Sequence, residues 1–503
     1  MTALSAAPSS AAPSSAAPSS AAPSSAAPSS AVPLPVAQVS GAPPAGAFTL
    51  SALRPDGGVL STDAFHRWWR GRLDRPGFEV TRIPFDELEG WAFDPESGNL
   101  RHHSGRFFSI EGFELSTDGA SRHCQPIINQ PEIGILGILV KEFDGVLHCL
   151  MQAKFEPGNV NTWQLSPTVQ ATRSNYTRVH KGDDTPYVQY FREAHRHRVL
   201  VDVLQSEQGA WFWRKRNRNI VIQVEEDVEP HEDYCWVTLG QVRRMFPVDN
   251  LVNMDARTVL SCMPFHGPGE PAAGDAFTEA LARSYGAADP SSGALRSPGE
   301  LVSWLTEAKC RCEWKSRLIP LRDIARWSRT DDELVDQALQ GFSIIAVRVA
   351  ADNREVKWWT QPLLATRTTG MAVFLARPID GVLHFLVRAQ PEPGLLDLVE
   401  MAPSVHMVSG LDTLGAHTDH PLVLERALGG EGVRFDSLMS EEGGRFYHAQ
   451  TRYKIVEVGE DFPVDVPWDY CWVTARQLMD LLGHGHYLNI EARSLVACVH
   501  SLW

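Results

Sequence analysis

The sequence lacks the motifs with which several common enzyme classes bind nucleotides, metals or acyl groups. It contains no GxGxxG, no phosphate-binding P-loop, no HExxH and no GxSxG. Each of these motifs supplies backbone amides, metal ligands or a nucleophile that the corresponding chemistry needs. Their absence argues against a bound nicotinamide, ATP hydrolysis and serine acyl transfer.

Paired cysteines, long apolar runs and an excess of positive charge are missing as well. The eight cysteines form no CxxC pair, so no zinc site is predicted. No stretch is apolar over the length that a bilayer span requires. The net charge of −15 argues against nucleic acid or an anionic membrane as the main partner. The first residues, MTALSAAPSS, lack the basic start and apolar run of a signal peptide, so we expect a cytoplasmic protein.

The length of 503 residues favours two domains over one. Residues 1–47 contain five copies of AAPSS followed by more Pro, Ala and Gly, and this composition predicts a disordered tail. Residues 264–297 are rich in Gly, Pro and Ala, and we interpret them as a linker. The remaining segments, 48–263 and 298–503, are the two predicted modules.

The two modules are copies of each other. An offset of 236 carries Asp144–His148 onto Asp380–His384, and the same offset carries the Glu-Pro-Gly motif at 156–158 onto 392–394. Each copy has an Asp-Gly hairpin signal between apolar strands, and each has a Thr-x-x-Gln capping box. The hairpins and Pro-Gly breaks predict an α/β (α+β) unit with a mixed or antiparallel sheet, present twice.

The copies differ in their polar residues. Six polar positions of the first copy align with less polar or different residues of the second, namely Asn129, Gln130, Glu132, Lys154, Asn159 and Gln170 with Ala365, Thr366, Thr368, Gln390, Leu395 and His406. We infer that the chemistry resides in the first copy.

Within that copy, Gln152, Lys154 and Glu156 alternate along a predicted strand and therefore share one face. A solvated outer face is the alternative interpretation. The amide, hydroxyl and imidazole groups that follow, among them Asn159 and the segment from Asn175 to His180, favour a site for an oxygen-rich ligand such as a sugar.

Two further features have both a structural and a functional interpretation. Trp68 and Trp304 lie at helical spacing, which is more typical of core packing than of stacking on a base. The basic run Arg214–Arg218 is either a solvated face or a clamp for a diphosphate, to which Arg can make bidentate contacts.

The chain resembles the NDP-hexose 2,3-dehydratases of deoxysugar biosynthesis. The segments that carry the resemblance are SGRFFSIEG (104–112), QPIINQPEIGILGIL (125–139), DGVLHCLMQAKFEPGN (144–159), QLSPTVQATRSNYTRVH (164–180), LQSEQGAWF (204–212) and DNLVNMDARTVL (249–260). The resemblance implies two tandem Nudix-like modules from an internal duplication, a homodimer, and one working and one remnant pocket. No Nudix box is present, which argues against phosphoanhydride hydrolysis.

The implied reaction removes the C2 hydroxyl of dTDP-4-keto-6-deoxy-glucose after deprotonation at C3. It needs no redox cofactor and no metal, and its diketo product implies a downstream 3-ketoreductase as partner. A Nudix-type pyrophosphohydrolase and a non-catalytic nucleotide-sugar binding protein are the rival functions.

For this implied reaction, residue type and the difference between the copies nominate site residues. The expected catalytic residues are Glu156 or Glu132 as the base, Lys154 or Tyr176 near the ketone, and His180 as an acid. The expected substrate-binding residues are Trp68, Gln152, Ala153, Phe155, Asn159, Asn175 and Arg216. The second pocket is expected at Trp304, Arg388, Gln390 and Glu392.

Overall fold

A computed structural model describes residues 46–117, 120–172, 185–267, 275–338, 341–351, 357–411 and 420–503. Three of the nominated residues, Asn175, Tyr176 and His180, lie outside the described residues. Most of the predicted tail, up to residue 45, also lies outside them.

The first half of the chain contributes five helices and twelve strands to the described structure. The helices are α1 (Ala47–Ala52), α2 (Thr62–Leu73), α3 (Val188–Arg192), α4 (Leu239–Met245) and α5 (Met254–Ser261). The strands are β1 (Phe78–Ile83), β2 (Trp91–Phe93), β3 (Leu100–His102), β4 (Ser109–Thr117), β5 (Ala120–Asn129), β6 (Gly134–Phe143), β7 (Val146–Phe155), β8 (Trp163–Ser166), β9 (Val169–Ala171), β10 (Arg198–Ser206), β11 (Arg216–Gln223) and β12 (Tyr234–Thr238).

The second half repeats this order within the described residues and adds one short strand, Phe446–Tyr447. Its helices are α6 (Ala276–Ser284), α7 (Pro298–Arg311), α8 (Pro421–Leu428), α9 (Ala475–Leu482) and α10 (Ile490–Val499). Its strands are β13 (Lys315–Ile319), β14 (Trp327–Arg329), β15 (Glu333–Asp336), β16 (Phe342–Ala351), β17 (Trp358–Thr366), β18 (Gly370–Ile379), β19 (Val382–Pro391), β20 (Val399–Pro403), β21 (Val405–Met407), β22 (Val433–Ser440), β23 (Phe446–Tyr447), β24 (Gln450–Glu457) and β25 (Tyr470–Thr474). The prediction of a mixed α/β protein is therefore confirmed.

Each half contains one large mixed sheet with the same strand arrangement. In the first half the order is β10-β11-β6-β7-β12, with β8 paired to β7 and β9 paired to β6. The pair β11/β6 is parallel, as is its counterpart β18/β24 in the second half, and the other pairs are antiparallel. The predicted Asp-Gly hairpins join β6 to β7 and β18 to β19. Both residues of each turn have positive φ, as a two-residue hairpin of type I′ requires.

The two halves exchange a strand in their smaller sheets. Strand β1 of the first half pairs with β16 of the second, with Phe78 opposite Ala351. Reciprocally, β13 of the second half pairs with β4 of the first, with Lys315 opposite Ser116. Each small sheet therefore contains strands from both halves, and neither half completes its hydrogen bonding alone.

A central pair of helices, α5 and α10, also joins the halves. The fully buried guanidinium of Arg257 on α5 donates to Ser494 Oγ at 3.3 Å, and that of Arg493 on α10 donates to Thr258 Oγ1 at 2.8 Å. Both arginines also donate to the ends of strands in the opposite half, at Ser440 O and Ser206 O. Buried guanidinium groups are tolerated when their donors are paired in this way.

The predicted capping boxes are present, and one helix lies in the segment that we interpreted as a linker. Thr238 and Gln241 cap α4 reciprocally, and Thr474 with Gln477 does the same for α9. Helix α6 lies within residues 264–297, where Ser284 Oγ donates to Leu383 O at 2.5 Å and accepts from Ala475 N at 2.8 Å. Ser51 of α1 makes the same two contacts in the first half, with Leu147 O and Leu239 N. The second repeat therefore includes α6.

No helix among the described residues is long and apolar enough to cross a membrane.

Candidate active site

The candidate active site is a cavity of about 400 Å³ on one face of the first large sheet. This volume lies in the range of pockets that enclose small organic ligands. Both halves of the chain form its walls. The polar lining residues are Glu89, His102, Gln130, Lys154, Glu156, Gln170, Thr172, Glu207, Lys215, Asn217 and Asp255 from the first half, and Thr360, Gln361, Glu442 and Arg445 from the second. The aromatic lining residues are Trp91, Phe107, Phe108, Phe212, Trp358 and Trp359.

Strand β7 and the residue directly after it place two of the nominated catalytic residues in this cavity. Lys154 and Glu156 line it, as their alternation predicts. Gln152 is half-buried one position further along the same face and is not among the residues that line the cavity. Ala153 and Phe155 point to the opposite face, where they belong to the main hydrophobic core. The same alternation that brings Lys154 and Glu156 to the cavity therefore points these two side chains away from it, contrary to their nomination as substrate-binding residues. The ring centroid of Phe155 lies 4.8 Å from that of Phe78.

A hydrogen-bonded network holds Glu156 in position. Gln170 Nε2 donates to Glu156 Oε1 at 2.7 Å, and Lys154 Nζ lies 3.5 Å from the same oxygen. The other end of the Gln170 amide accepts from Ser166 Oγ at 3.0 Å and from Asn253 Nδ2 at 3.2 Å. Because Asn253 also caps α5, the helix that joins the halves orients this carboxylate through Gln170.

Three carboxyl groups meet in the cavity. One oxygen each of Glu156, Asp255 and Glu442 lies within 4.8 Å of the others. Burial, reinforced by the charges of neighbouring carboxylates, raises the pKa of Asp255 well above its ordinary value. Burial also raises the pKa of Glu442 to about 7, with Arg445 opposing the shift and Glu156 adding to it. The cavity can therefore hold carboxylic acids that stay protonated near neutral pH beside Glu156.

Two further cations line the cavity next to these carboxyl groups. Lys215 is buried, and its desolvation lowers the pKa of the ammonium to about 8, although Glu207 opposes that shift. Its Nζ donates to the backbone carbonyl of Glu132. Arg445 donates to Gln130 Oε1 at 3.3 Å and lies over the ring of Phe108 at 4.4 Å. Cations held in this way can bind the oxygens of a diphosphate.

The remaining nominated residues of the first half lie elsewhere. The indole of Trp68 donates to Glu232 O at 3.0 Å and packs against the core, which agrees with its structural interpretation. Asn159 is buried beside the cavity and donates to Thr162 O at 3.4 Å. Glu132 and Arg216 are half-buried, and neither side chain is among those lining the cavity.

The equivalent position in the second half is almost filled, with a volume of about 10 Å³. The carboxyl groups of Glu392, Glu441 and Glu491 are kept there, and burial raises the pKa of each to about 7. The cations are not kept. Lys154 aligns with Gln390, and Lys215 aligns with Ala449. Arg445, which lines the first cavity, aligns with Trp211, which lines the second. A nucleotide sugar does not fit into this volume.

The other residues expected at the second pocket have local partners. Gln390 Nε2 and Asn489 Nδ2 both approach His406 Nδ1, at 3.3 and 3.4 Å, and Asn489 also donates to Glu392. Arg388 pairs with Asp469 at 3.0 Å, and the Trp304 indole donates to Trp468 O at 2.7 Å. None of the four expected residues, Trp304, Arg388, Gln390 and Glu392, is among the described residues that line the small space.

Two clusters of side chains are close enough to bind a divalent cation. They are Glu156, Asp255 and Glu442 in the first half and Glu392, His406 and Glu491 in the second. Carboxylate and imidazole groups are suitable ligands for such ions. In the first cluster the ammonium of Lys154 already provides a positive charge beside Glu156.

The sequence analysis missed several residues of the cavity. Glu207 and Asp255 lie in segments that carry the resemblance, but their role in the site was not recognised. Glu442 and Arg445 belong to the second copy, where no working site was expected. For the residues that directly follow strand β10, the two copies align with an offset of 234 instead of 236. This alignment places Glu442 opposite Gln208 and Arg445 opposite Trp211. These two differences between the copies could have identified Glu442 and Arg445 as site residues.

A cavity lined by positioned carboxyl groups, a lysine and aromatic rings offers the groups that acid–base catalysis on an oxygen-rich substrate requires. Comparison with known proteins defines the class further. The family model for NDP-hexose 2,3-dehydratases matches twice, over residues 62–263 and 298–499. The chain belongs to this family of water-eliminating enzymes, and the resemblance stated from the sequence is confirmed.

Three relatives with an enzyme name cover almost the whole chain. The chain is 51% identical over 480 residues to a dTDP-4-dehydro-6-deoxy-alpha-D-glucopyranose 2,3-dehydratase of Saccharopolyspora spinosa, covering 93% of this chain and 98% of the relative. Proteins of the same name from Amycolatopsis orientalis and Streptomyces violaceoruber are 43% and 46% identical, over 91% and 88% of this chain and 94% and 98% of the relatives.

Proposed function

We propose that this chain removes water from dTDP-4-dehydro-6-deoxy-glucose. The C2 hydroxyl and the C3 proton leave, and the product is a 3,4-diketo-2,6-dideoxy sugar still attached to the nucleotide. The observation that carries the proposal is the Lys154–Glu156 pair in a cavity of about 400 Å³, in a chain whose relatives bear the name of this activity.

Deprotonation at C3 is the first chemical requirement. The C4 ketone acidifies this proton, and Glu156 is the base that we assign to remove it. The position of the carboxylate is set by the Gln170 amide at 2.7 Å. A positioned base of this kind contributes on the order of 10²–10⁴-fold to the rate.

Stabilisation of the resulting enolate is the second requirement. We assign this role to the Lys154 ammonium, because negative charge develops on the C4 oxygen when the C3 proton leaves. A preorganised donor aimed at such an oxygen is worth about 3–4 kcal/mol. At the aligned position of the second repeat stands Gln390, which carries no charge, and this difference supports the assignment.

Binding of the nucleotide is assigned to the cations and aromatic rings of the cavity wall. Lys215 and Arg445 are placed to neutralise the diphosphate. Trp358 and Trp359 offer faces on which a base can stack, and Trp358 is 53% exposed. Lys215 belongs to the basic run for which a diphosphate clamp was one interpretation.

Four finer proposals accompany this function. Each repeat is a Nudix-like module that has lost phosphoanhydride chemistry, which the absence of a Nudix box supports. The enzyme is a cytoplasmic homodimer that serves the biosynthesis of deoxysugars for antibiotics. A 3-ketoreductase consumes its product, because a 3,4-diketo sugar is reactive. The reaction needs neither a metal nor a redox cofactor.

The test is mass spectrometry of dTDP-4-dehydro-6-deoxy-glucose after incubation with the enzyme and a chelator. We expect the loss of one water with the nucleotide still attached. Release of dTMP that depends on Mg²⁺ would instead indicate a pyrophosphohydrolase. An unchanged sugar that nevertheless binds would indicate a non-catalytic binding protein.

A further inference from the structure

Each repeat carries two adjacent polar residues directly after a strand of its large sheet. They are Glu207-Gln208 after β10 and Glu441-Glu442 after β22. The first residue of each pair faces the cavity of its own repeat, and the second faces the cavity of the other repeat. The first cavity therefore receives Glu442 from the second repeat, while the second cavity receives Gln208 from the first.

The Glu-Pro-Gly motif that both copies retain is the docking point for this crossing. Gly158 N donates to Gly443 O at 2.8 Å, and His448 N donates to Gly158 O at 2.8 Å. Gly394 makes the equivalent contacts with Gly209 O and Arg214 N, both at 2.7 Å. A Cβ at Gly158 would lie 1.6 Å from Phe446 O, so only glycine permits this approach. The loop that carries Glu442 is thus fixed to the turn that follows Glu156.

Glu442 distinguishes the carboxyl cluster around Glu156 from its counterpart at the second cavity, and the other unmatched carboxyl group of the first cavity, Glu89, is exposed. Three carboxyl groups have a counterpart in the other repeat, since Glu156, Glu207 and Asp255 align with Glu392, Glu441 and Glu491. Glu442 aligns with Gln208, an amide. Because only the first cavity has room for a sugar, the asymmetry places an additional proton donor where the reaction occurs.

We infer that Glu442 is the acid that protonates the departing C2 hydroxyl, so that the second repeat supplies a catalytic residue to the first repeat's site. This inference rests on the proposed dehydratase function and extends it. Glu442 and Glu156 are within 4.8 Å of each other, a separation that allows one to serve C3 and the other the oxygen on C2.

The protons and electrons of the reaction balance with these two groups. Glu156 takes the C3 proton, and the electron pair of that bond moves to the C4 oxygen as an enolate. When the enolate returns to the ketone, the C2–O bond breaks and the oxygen leaves as water with the proton of Glu442. The enol at C3 then releases its hydroxyl proton to Glu442, and C2 takes the proton held by Glu156. Both residues return to their starting states with a diketo product.

The electrostatics of the cavity support this role. The pKa of Glu442 is raised to about 7, chiefly by desolvation, so about half of these groups carry a proton at neutral pH. An acid whose pKa lies near the working pH is the most effective proton donor.

Glu442→Gln tests the inference, with Glu441→Gln as the matched control. Both substitutions remove one carboxyl group from adjacent positions, but Glu442 is half-buried at the first cavity and Glu441 is buried at the second. We expect E442Q to lose about 10²–10⁴-fold in kcat for water elimination, and E441Q to stay close to the parent enzyme. In D₂O, E442Q should still exchange the C3 proton, because that step uses Glu156.

A substrate analogue with fluorine in place of the C2 hydroxyl separates an acid from a structural residue. Fluoride leaves without a proton, so E442Q should eliminate fluoride at nearly the rate of the parent enzyme. Failure of E442Q on both substrates, or full activity on the hydroxyl substrate, would overturn the inference. Failure of the parent enzyme on the hydroxyl substrate would instead overturn the proposed function.

Discussion

Replacement of Gly158 by alanine tests whether the contact between the two repeats builds the active site. The added Cβ would lie 1.6 Å from Phe446 O and 2.8 Å from Gly443 O, both in the loop that carries Glu442 and Arg445. These atoms are backbone, so no side-chain rotation relieves the overlap. The loop must retreat by on the order of 1.5–2 Å before ordinary van der Waals contact is restored.

The expected effect of Gly158→Ala is larger on activity than on folding. Overpacking of this kind costs about 1–3 kcal/mol of stability. A misplacement of catalytic groups by about 1 Å lowers activity by about 10²-fold. The assay is the rate of water loss from the 4-keto sugar, together with urea unfolding to measure stability.

Gly71→Ala is the control for that experiment. Gly71 lies within α2, and a Cβ there meets no atom within 4 Å. We expect unchanged turnover and a gain of up to about 1 kcal/mol in stability. A Gly158→Ala enzyme with the turnover and stability of the parent would refute the docking of the second repeat's loop on this turn.

Three further predictions concern charge, packing and pH. Lys154→Gln, which installs the residue of the second repeat, should lower kcat by about 10²–10³-fold in the turnover assay, because an enolate donor is lost. Trp211→Ala should cost about 3–5 kcal/mol in urea unfolding, because this side chain is 2% exposed and packs 4.5 Å from the Phe342 ring. Burial raises the pKa of Glu441 to about 7 in the folded protein. Between the ordinary pKa of a glutamate and pH 7, the folded protein therefore keeps a proton at this position that the unfolded chain has already released. The stability that this proton contributes is therefore lost as the pH rises through about 7, and Glu441→Gln should reduce that loss in thermal unfolding scans between pH 5 and 8.

Local features of the fold could be predicted from the sequence because their causes are local. The Asp-Gly hairpin at Asp144 needs two adjacent residues with positive φ, and the capping box at Thr238 needs a side chain three residues on. The exchange of β1 and β13 between the halves could not be predicted in this way. It depends on pairing between residues hundreds of positions apart, which no local pattern records.

The part of the site that depends on a local pattern could also be predicted from the sequence. Alternation along one strand was enough to place Lys154 and Glu156 on a common face. It should also have excluded Ala153 and Phe155, which occupy the intervening positions. We compared the copies on the assumption that each repeat forms its own site. Glu442 could not be found in this way, because it belongs to the second repeat and lines the cavity of the first.

The most direct test of the account compares Glu156→Gln with Glu392→Gln, the same substitution at aligned positions of the two repeats. Each variant is incubated with dTDP-4-dehydro-6-deoxy-glucose, and the nucleotide sugar is weighed by mass spectrometry. Because the first cavity has a volume of about 400 Å³ and the second about 10 Å³, we predict that E392Q still removes water and that E156Q does not. Water loss by E156Q together with an inactive E392Q would contradict the account.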